Sequence, residues 1–135
     1  MLGSFQQMQL RLEMDATATE IAAPLIHPAR WSDWLAPQRF SEGLPDRLAP
    51  DLTYTSWIGP IVIVHQVQWI DDRGFCLLLS QGIDGYHEWR WGDGWVQSRL
   101  EGVSLLPLKL AHSLSLARLR GTIEADVFTA HQTPS

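Results

Sequence analysis

The sequence predicts one α+β domain. A curved antiparallel sheet of six to seven strands wraps a long C-terminal helix, and two short helices follow the first strand. Three observations predict it. An alternating segment opens the chain. Short strands punctuated by tight turns fill the middle. A long segment with a wide apolar face follows Pro107.

Residues 5 to 14 alternate, with Gln6, Met8, Leu10, Leu12 and Met14 on one parity and Gln7, Gln9, Arg11 and Glu13 on the other. Period two with one wet face is an antiparallel strand. Residues 15 to 19 offer helix N-caps, and residues 20 to 26 form a short helix limited by Pro24, which removes a helical donor. Pro28 starts a second short helix bearing Trp31, Trp34 and Leu35, and Pro37 ends it. Residues 36 to 51, rich in proline and glycine, read as a loop. Residues 52 to 104 read as a meander of hairpins. Pro107 suits the first turn of the final helix. Leu108, Leu110, Ala111, Leu114, Leu116, Ala117, Leu119 and Ile123 give that helix its apolar face to about Ala125. Residues 131 to 135 read as a frayed end.

The Asp93-Gly94 pair sets a register. Asp-Gly favours a two-residue type I′ turn, which pairs Trp91 with Val96, Trp89 with Ser98 and His87 with Leu100. Arg90 with Gln97, Glu88 with Arg99 and Tyr86 with Glu101 then share the polar face. A three-residue loop would set Arg90 against Val96, so the shorter loop is preferred. The Glu88–Arg99 pair would contribute about 0.2 to 1 kcal/mol. Even-length loops carry the interior parity back to Ser80, Leu78 and Cys76, and then to Trp69, Val67, His65, Ile63 and Ile61. On that parity His65, Ser80 and His87 lie side by side, and Phe75, Leu77 and Leu79 form an outward row.

Composition narrows the function. With 135 residues the chain is one domain, residues 1 to 135, with its core at about 4 to 125. The net charge of −5 argues against nucleic acid and against anionic membrane surfaces. The single cysteine, Cys76, excludes an intramolecular disulfide and a cysteine metal cluster. A cytoplasmic protein without a signal peptide or membrane span is expected. No histidine pair has metal-ligand spacing, so neither a metal nor another cofactor is expected. Seven tryptophans suit a core or the wall of an apolar pocket.

Two stretches point to a family. Leu12-Glu13-Met14-Asp15-Ala16, followed by Leu25-Ile26-His27-Pro28-Ala29-Arg30-Trp31-Ser32-Asp33-Trp34, resembles the first strand and helices of the START/polyketide-cyclase (SRPBCC, birch-pollen-allergen-like) superfamily. Glu88-Trp89-Arg90-Trp91, with Glu101-Gly102-Val103 and the helix after Pro107, is similar to its later strands and long helix. The chain departs from the pattern at Ala16-Thr17, at Ile21-Ala22 with Pro24 close behind, and over residues 38 to 51, where a strand is short or missing. The resemblance implies a helix-grip fold with a cavity between sheet and helix. Relatives bind lipids, sterols, polyketides, quinones or hormones; some are aromatases or cyclases, and some assist a heat-shock ATPase.

The expected ligand-binding residues are His65, Trp69, Leu78, Ser80, His87, Trp89, Trp91, Ser98, His112 and Leu116. Trp57 is a further candidate, whereas Trp31 and Trp34 read as packing between the short helices and the sheet. His65 and His87 are the candidates for proton transfer, because imidazole changes charge near neutral pH. Ser80 could complete a Ser-His pair, but no acidic residue on the interior parity orients a base and no nucleophile elbow is present. The first expectation is a carrier of a small hydrophobic molecule. The second is an aromatase/cyclase or dehydratase-type enzyme. The third is an interaction domain or homodimer using the row Phe75, Leu77 and Leu79.

Overall fold

A computed structural model describes residues 3–132. β1 (Ser4–Glu13) leads into α1 (Ala18–Ile26), a 3-10 turn at Pro28–Arg30 and α2 (Ser32–Leu35). Then come β2 (Arg39–Phe40), β3 (Thr53–Ile58), β4 (Ile61–Asp71), β5 (Gly74–Gln81), β6 (Ile83–Gly92) and β7 (Trp95–Ser104). α3 (Leu108–Gln132) closes the chain. The strands form one seven-stranded antiparallel sheet of order β1-β7-β6-β5-β4-β3-β2. The strand that brings the total to seven is β2, inside the expected loop. α3 continues past Ala125 and keeps His131 helical; Thr133 to Ser135, also expected to fray, lie outside the described residues.

Local chemistry explains the helix ends. Thr17 caps α1 in a capping box: Glu20 N donates to Thr17 Oγ1, and Thr17 N donates to Glu20 Oε1. Pro28 has no N–H to donate, so α1 cannot continue and its last carbonyls need other donors. The Trp34 indole N–H donates to the Pro24 carbonyl and the Trp31 indole N–H to that of Leu25, each at 3.0 Å. At the start of α3, Leu108 N donates to Gln6 Oε1, and Gln6 Nε2 donates to the Leu106 carbonyl. The same glutamine thus ties β1 to the last helix. Leu108, His112, Leu116, Leu119 and Ile123 bury one face of α3.

The β6–β7 hairpin has the expected register, with Trp91 opposite Val96, Trp89 opposite Ser98 and His87 opposite Leu100. Its turn is not type I′, which needs positive φ at both central residues. Gly94 has φ +82°, but Asp93 does not take positive φ. The Asp93 side chain instead accepts from Ala18 N at 2.8 Å, holding the first turn of α1. Glu88 does lie opposite Arg99, yet the arginine pairs with Glu101 at 3.5 Å along its own strand. Gly85 faces Gly102 on this hairpin; a Cβ on Gly85 would overlap the Glu101 carbonyl, so the close strand approach requires glycine.

The parity expected for β4 holds at Ile63, His65 and Val67, which are buried on the inner face, and fails at Trp69; that expected for β5 is overturned. A bulge between Val67 and Trp69 adds a residue to β4, so the strand from Trp69 onward takes the opposite facing. The β5–β6 connection beyond the Leu79–Gly85 pair is odd in length, which reverses β5 relative to the expectation. Phe75, Leu77 and Leu79 therefore point inward, at 3%, 5% and 2% exposure. Leu78 and Ser80 are exposed on the outer face, and Trp69 lies there beneath the Arg90 guanidinium, 4.4 Å from the ring centre. His65 faces Leu79 and His87 faces Leu77, so the expected row of His65, Ser80 and His87 does not form. The outward apolar row on which an interaction surface was expected is interior.

Candidate functional site

Between the concave sheet face, the short helices and α3 lies a cavity of about 230 Å3. Phe75, Leu77 and Leu79 of β5 lie in its wall at mid-sheet. Trp31, Trp34 and Trp89 supply aromatic wall; Trp34 and Trp89 meet edge-on with ring centres 5.6 Å apart. Leu106, Pro107, Leu108 and Ala111 close the side formed by the start of α3. Among the described residues no Asp, Glu, Lys or Arg borders the cavity.

Ser115 of α3 borders the cavity, and its other polar groups fall into two clusters. In the first, His65 stacks on Tyr54 with ring centres 4.5 Å apart and planes 5° from parallel. His65 Nε2 lies 2.8 Å from Ser56 Oγ, and Gln38 Nε2 donates to the same oxygen at 2.9 Å. In the second, Ser98 Oγ lies 2.8 Å from His87 Nε2 and 2.9 Å from His112 Nε2. The two histidine rings are 5.7 Å apart and close to perpendicular. Ser56 and Ser98 are fully buried. His65 Nδ1 and His112 Nδ1 are buried with no protein hydrogen-bond partner.

Burial sets the charge state of this site, because desolvation disfavours the charged form. It pushes His65 down to about 3 and His112 down to about 4. His87 is held well below the ordinary histidine range, first by burial and then by the neighbouring His112 and His65. The Tyr54 phenol is raised by burial and stays protonated. Near pH 7 the cavity therefore presents three neutral imidazoles, a phenol and apolar wall. Neutral imidazole can donate from one nitrogen and accept at the other, which suits both ligand orientation and proton transfer.

Among the residues expected at a site, His65, His87, Trp89 and His112 border the cavity. Ser98 is buried behind two of them. Trp91 and Leu116 are buried in the core without bordering the cavity. Trp69, Leu78 and Ser80 face outward, as does Trp57, over which Arg39 lies at 5.9 Å. Trp31 and Trp34, expected as packing alone, are cavity wall. Tyr54, Ser56 and Gln38 were not singled out. The alternation in β3 could have found the first two, since Tyr54 and Ser56 share the buried parity. No local signal marks Gln38, which a loop delivers. Among the described residues no group of three or more His, Cys, Asp or Glu could hold a metal ion.

No family model matches the sequence. No curated protein matches it either. Solved structures do. A protein from Chromobacterium violaceum, CV1439, superposes with a TM-score of 0.68 at 13% identity, covering 87% of this chain and 96% of that one. CalU16 from Micromonospora echinospora gives 0.64 at 14% identity, covering 93% and 80%. A hypothetical protein from Helicobacter pylori gives 0.59 at 12% identity, covering 89% and 88%. The chain has a helix-grip fold. Likeness at such low identity shows the fold alone, and function has to be argued from the site. No helix among the described residues is long and apolar enough to cross a membrane.

Proposed function

We propose that this helix-grip protein binds a small, uncharged, largely apolar molecule in the cavity between its sheet and α3. The observation that carries the reading is the cavity wall: about 230 Å3 enclosed by aromatic and aliphatic side chains without one charged group. Ligand sites are typically concave and apolar, with a few polar groups that fix orientation. An engineered apolar cavity of about 150 Å3 holds benzene, so this one suits a one- to two-ring molecule. A charged ligand would be desolvated here with no ionic partner, at a cost of several kcal/mol.

Native mass spectrometry of the gently purified protein, alongside mass analysis of its organic extract, tests the reading. We expect an uncharged compound of one or two rings that leaves on denaturation. An anionic lipid in the extract would overturn it.

The cluster of His87, Ser98 and His112 favours a second reading, an aromatase/cyclase or dehydratase-type enzyme with His65 or His87 moving the proton. It rests on the histidines at the cavity wall; burial pushes both well below the ordinary histidine range, which makes them weak bases near pH 7 and puts this reading second. Alanine at both positions should then abolish turnover of a candidate polyketide. Unchanged turnover would sink this reading and leave the first standing.

A further inference from the structure

The three histidines of the cavity wall differ in what they can offer a ligand. His65 offers nothing: Ser56 takes its Nε2, and its Nδ1 is buried with no open surface. His112 is in the same state, with Nε2 on Ser98 and Nδ1 sealed. His87 is not. Ser98 takes its Nε2, but its Nδ1 has no partner among the described residues and is not one of the sealed atoms, so it keeps open surface. The His87 side chain lies against the His112 ring of α3 and is surrounded by protein, yet it retains accessible surface. Surface left open inside a protein is cavity surface, and His87 forms part of this cavity's wall.

The hydrogen bonds of Ser98 fix which form the His87 imidazole takes. A serine hydroxyl has one proton to give and two lone pairs to receive. Ser98 is fully buried and meets His87 and His112, so one histidine takes its proton and the other donates to it. If His112 took that proton, its own N–H would sit on the sealed Nδ1, and an orphaned buried N–H is rare in folded proteins. A sealed lone pair costs less. His112 therefore donates through Nε2, Ser98 donates to His87 Nε2, and His87 carries its proton on Nδ1, the atom open to the cavity.

The rest of the wall does not counter this donor. The Tyr54 and Ser115 hydroxyls give or receive alike, and the Trp89 indole, its ring centre 5.0 Å from that of His87, can only donate. Gln38 brings an acceptor, but from a loop between the exposed Pro37 and Arg39, where water competes for it. Beside the donor the wall is apolar, since Leu77 lies opposite His87 on the neighbouring strand and borders the cavity.

We propose that the cavity selects an uncharged ring compound whose polar atom is a hydrogen-bond acceptor, a ketone being the simplest case, held by His87 Nδ1 with its ring against Leu77. The inference rests on reading the cavity as a binding site, and its test separates the two.

Isothermal titration calorimetry of the full chain would compare two pairs of compounds on one fused two-ring frame. Indane and 1-indanone differ by an acceptor, and indene and indole differ by a donor. We expect 1-indanone to bind roughly three- to tenfold tighter than indane, and indole to gain nothing over indene. In His87→Phe the gain for 1-indanone should collapse toward onefold. Equal gains in the two pairs, equal affinity for indane and 1-indanone, or a ketone gain that survives in His87→Phe would each overturn the proposal while leaving an apolar binding cavity. Failure of every compound to bind would overturn the cavity reading with it. Should the variant not fold, 15N NMR of the histidine rings in the unaltered protein decides. We expect the proton on Nδ1 in His87 and on Nε2 in His112, and 1-indanone should shift the His87 Nδ1 signal. The opposite protonation of the pair, or a His87 signal that the ketone leaves in place, overturns the proposal.

Discussion

The two faces of this sheet use the same aromatic residues for opposite purposes. On the concave face, Trp89 is 3% exposed, and its ring packs against Trp34, Phe75 and His87. On the convex face, Trp69 and Trp95 each lie under an arginine, Arg90 and Arg11, both at 4.4 Å from the ring centre. Trp57 under Arg39 and Tyr86 under Arg99 repeat the arrangement at 5.9 and 5.8 Å. The inner aromatics contribute by removing apolar area from water. The outer ones are half covered by a cation that itself stays wet, an interaction of about 0.5 to 1 kcal/mol at exposed sites. A tryptophan count thus does not measure a pocket; four of the six sheet aromatics just named lie outside it.

The comparison can be broken most directly by truncation. Trp89→Ala should destabilise the fold by about 3 to 5 kcal/mol, since it removes a large buried ring and opens a void beside the cavity. Trp69→Ala should cost under about 1 kcal/mol. Urea unfolding followed by circular dichroism measures both, and equal costs would mean the two faces do not differ as described.

Acid should act on the inner face. A histidine whose folded value is depressed binds fewer protons folded than unfolded, so stability falls as pH falls. The loss starts near the unfolded value of 6.5 and, for His112, continues to about 4. Its full extent is roughly 3 kcal/mol for that residue. His112→Phe should flatten the stability–pH curve over this window. An unaltered slope would show that His112 is not held neutral by burial.

A smaller effect is expected at Ser98. Ser98→Ala removes the shared partner of His87 and His112 and should cost about 1 to 3 kcal/mol. Ser80→Ala, on the exposed outer face, should fall within about 0.5 kcal/mol. Arg90→Ala should be smaller than the Trp89 effect by several-fold, costing up to about 1 kcal/mol and raising the accessibility of Trp69 to a fluorescence quencher.

The sequence by itself determined what depends on near neighbours in the chain. Alternation marked β1, Pro28 and Pro107 marked helix boundaries, and the Asp93-Gly94 loop set the β6–β7 register through a two-residue connection. That register correctly sent His87, Trp89 and Ser98 inward, and the apolar face of α3 placed His112 toward them. The tertiary structure decided the rest. β5 is apolar on both parities over Phe75 to Leu79, so its own pattern could not choose a face. One extra residue at the β4 bulge and an odd connection after β5 made the choice. Because side chains alternate with period two, a single inserted residue reverses every later assignment. Gln38 likewise came to Ser56, the partner of His65, from a loop whose relation to the sheet is set by packing, whereas Ser56 itself sits on β3, which a two-residue connection pairs with β4. The cavity exists only where α3, the short helices and the curved sheet meet without filling the space between them, and no local run of residues encodes that volume.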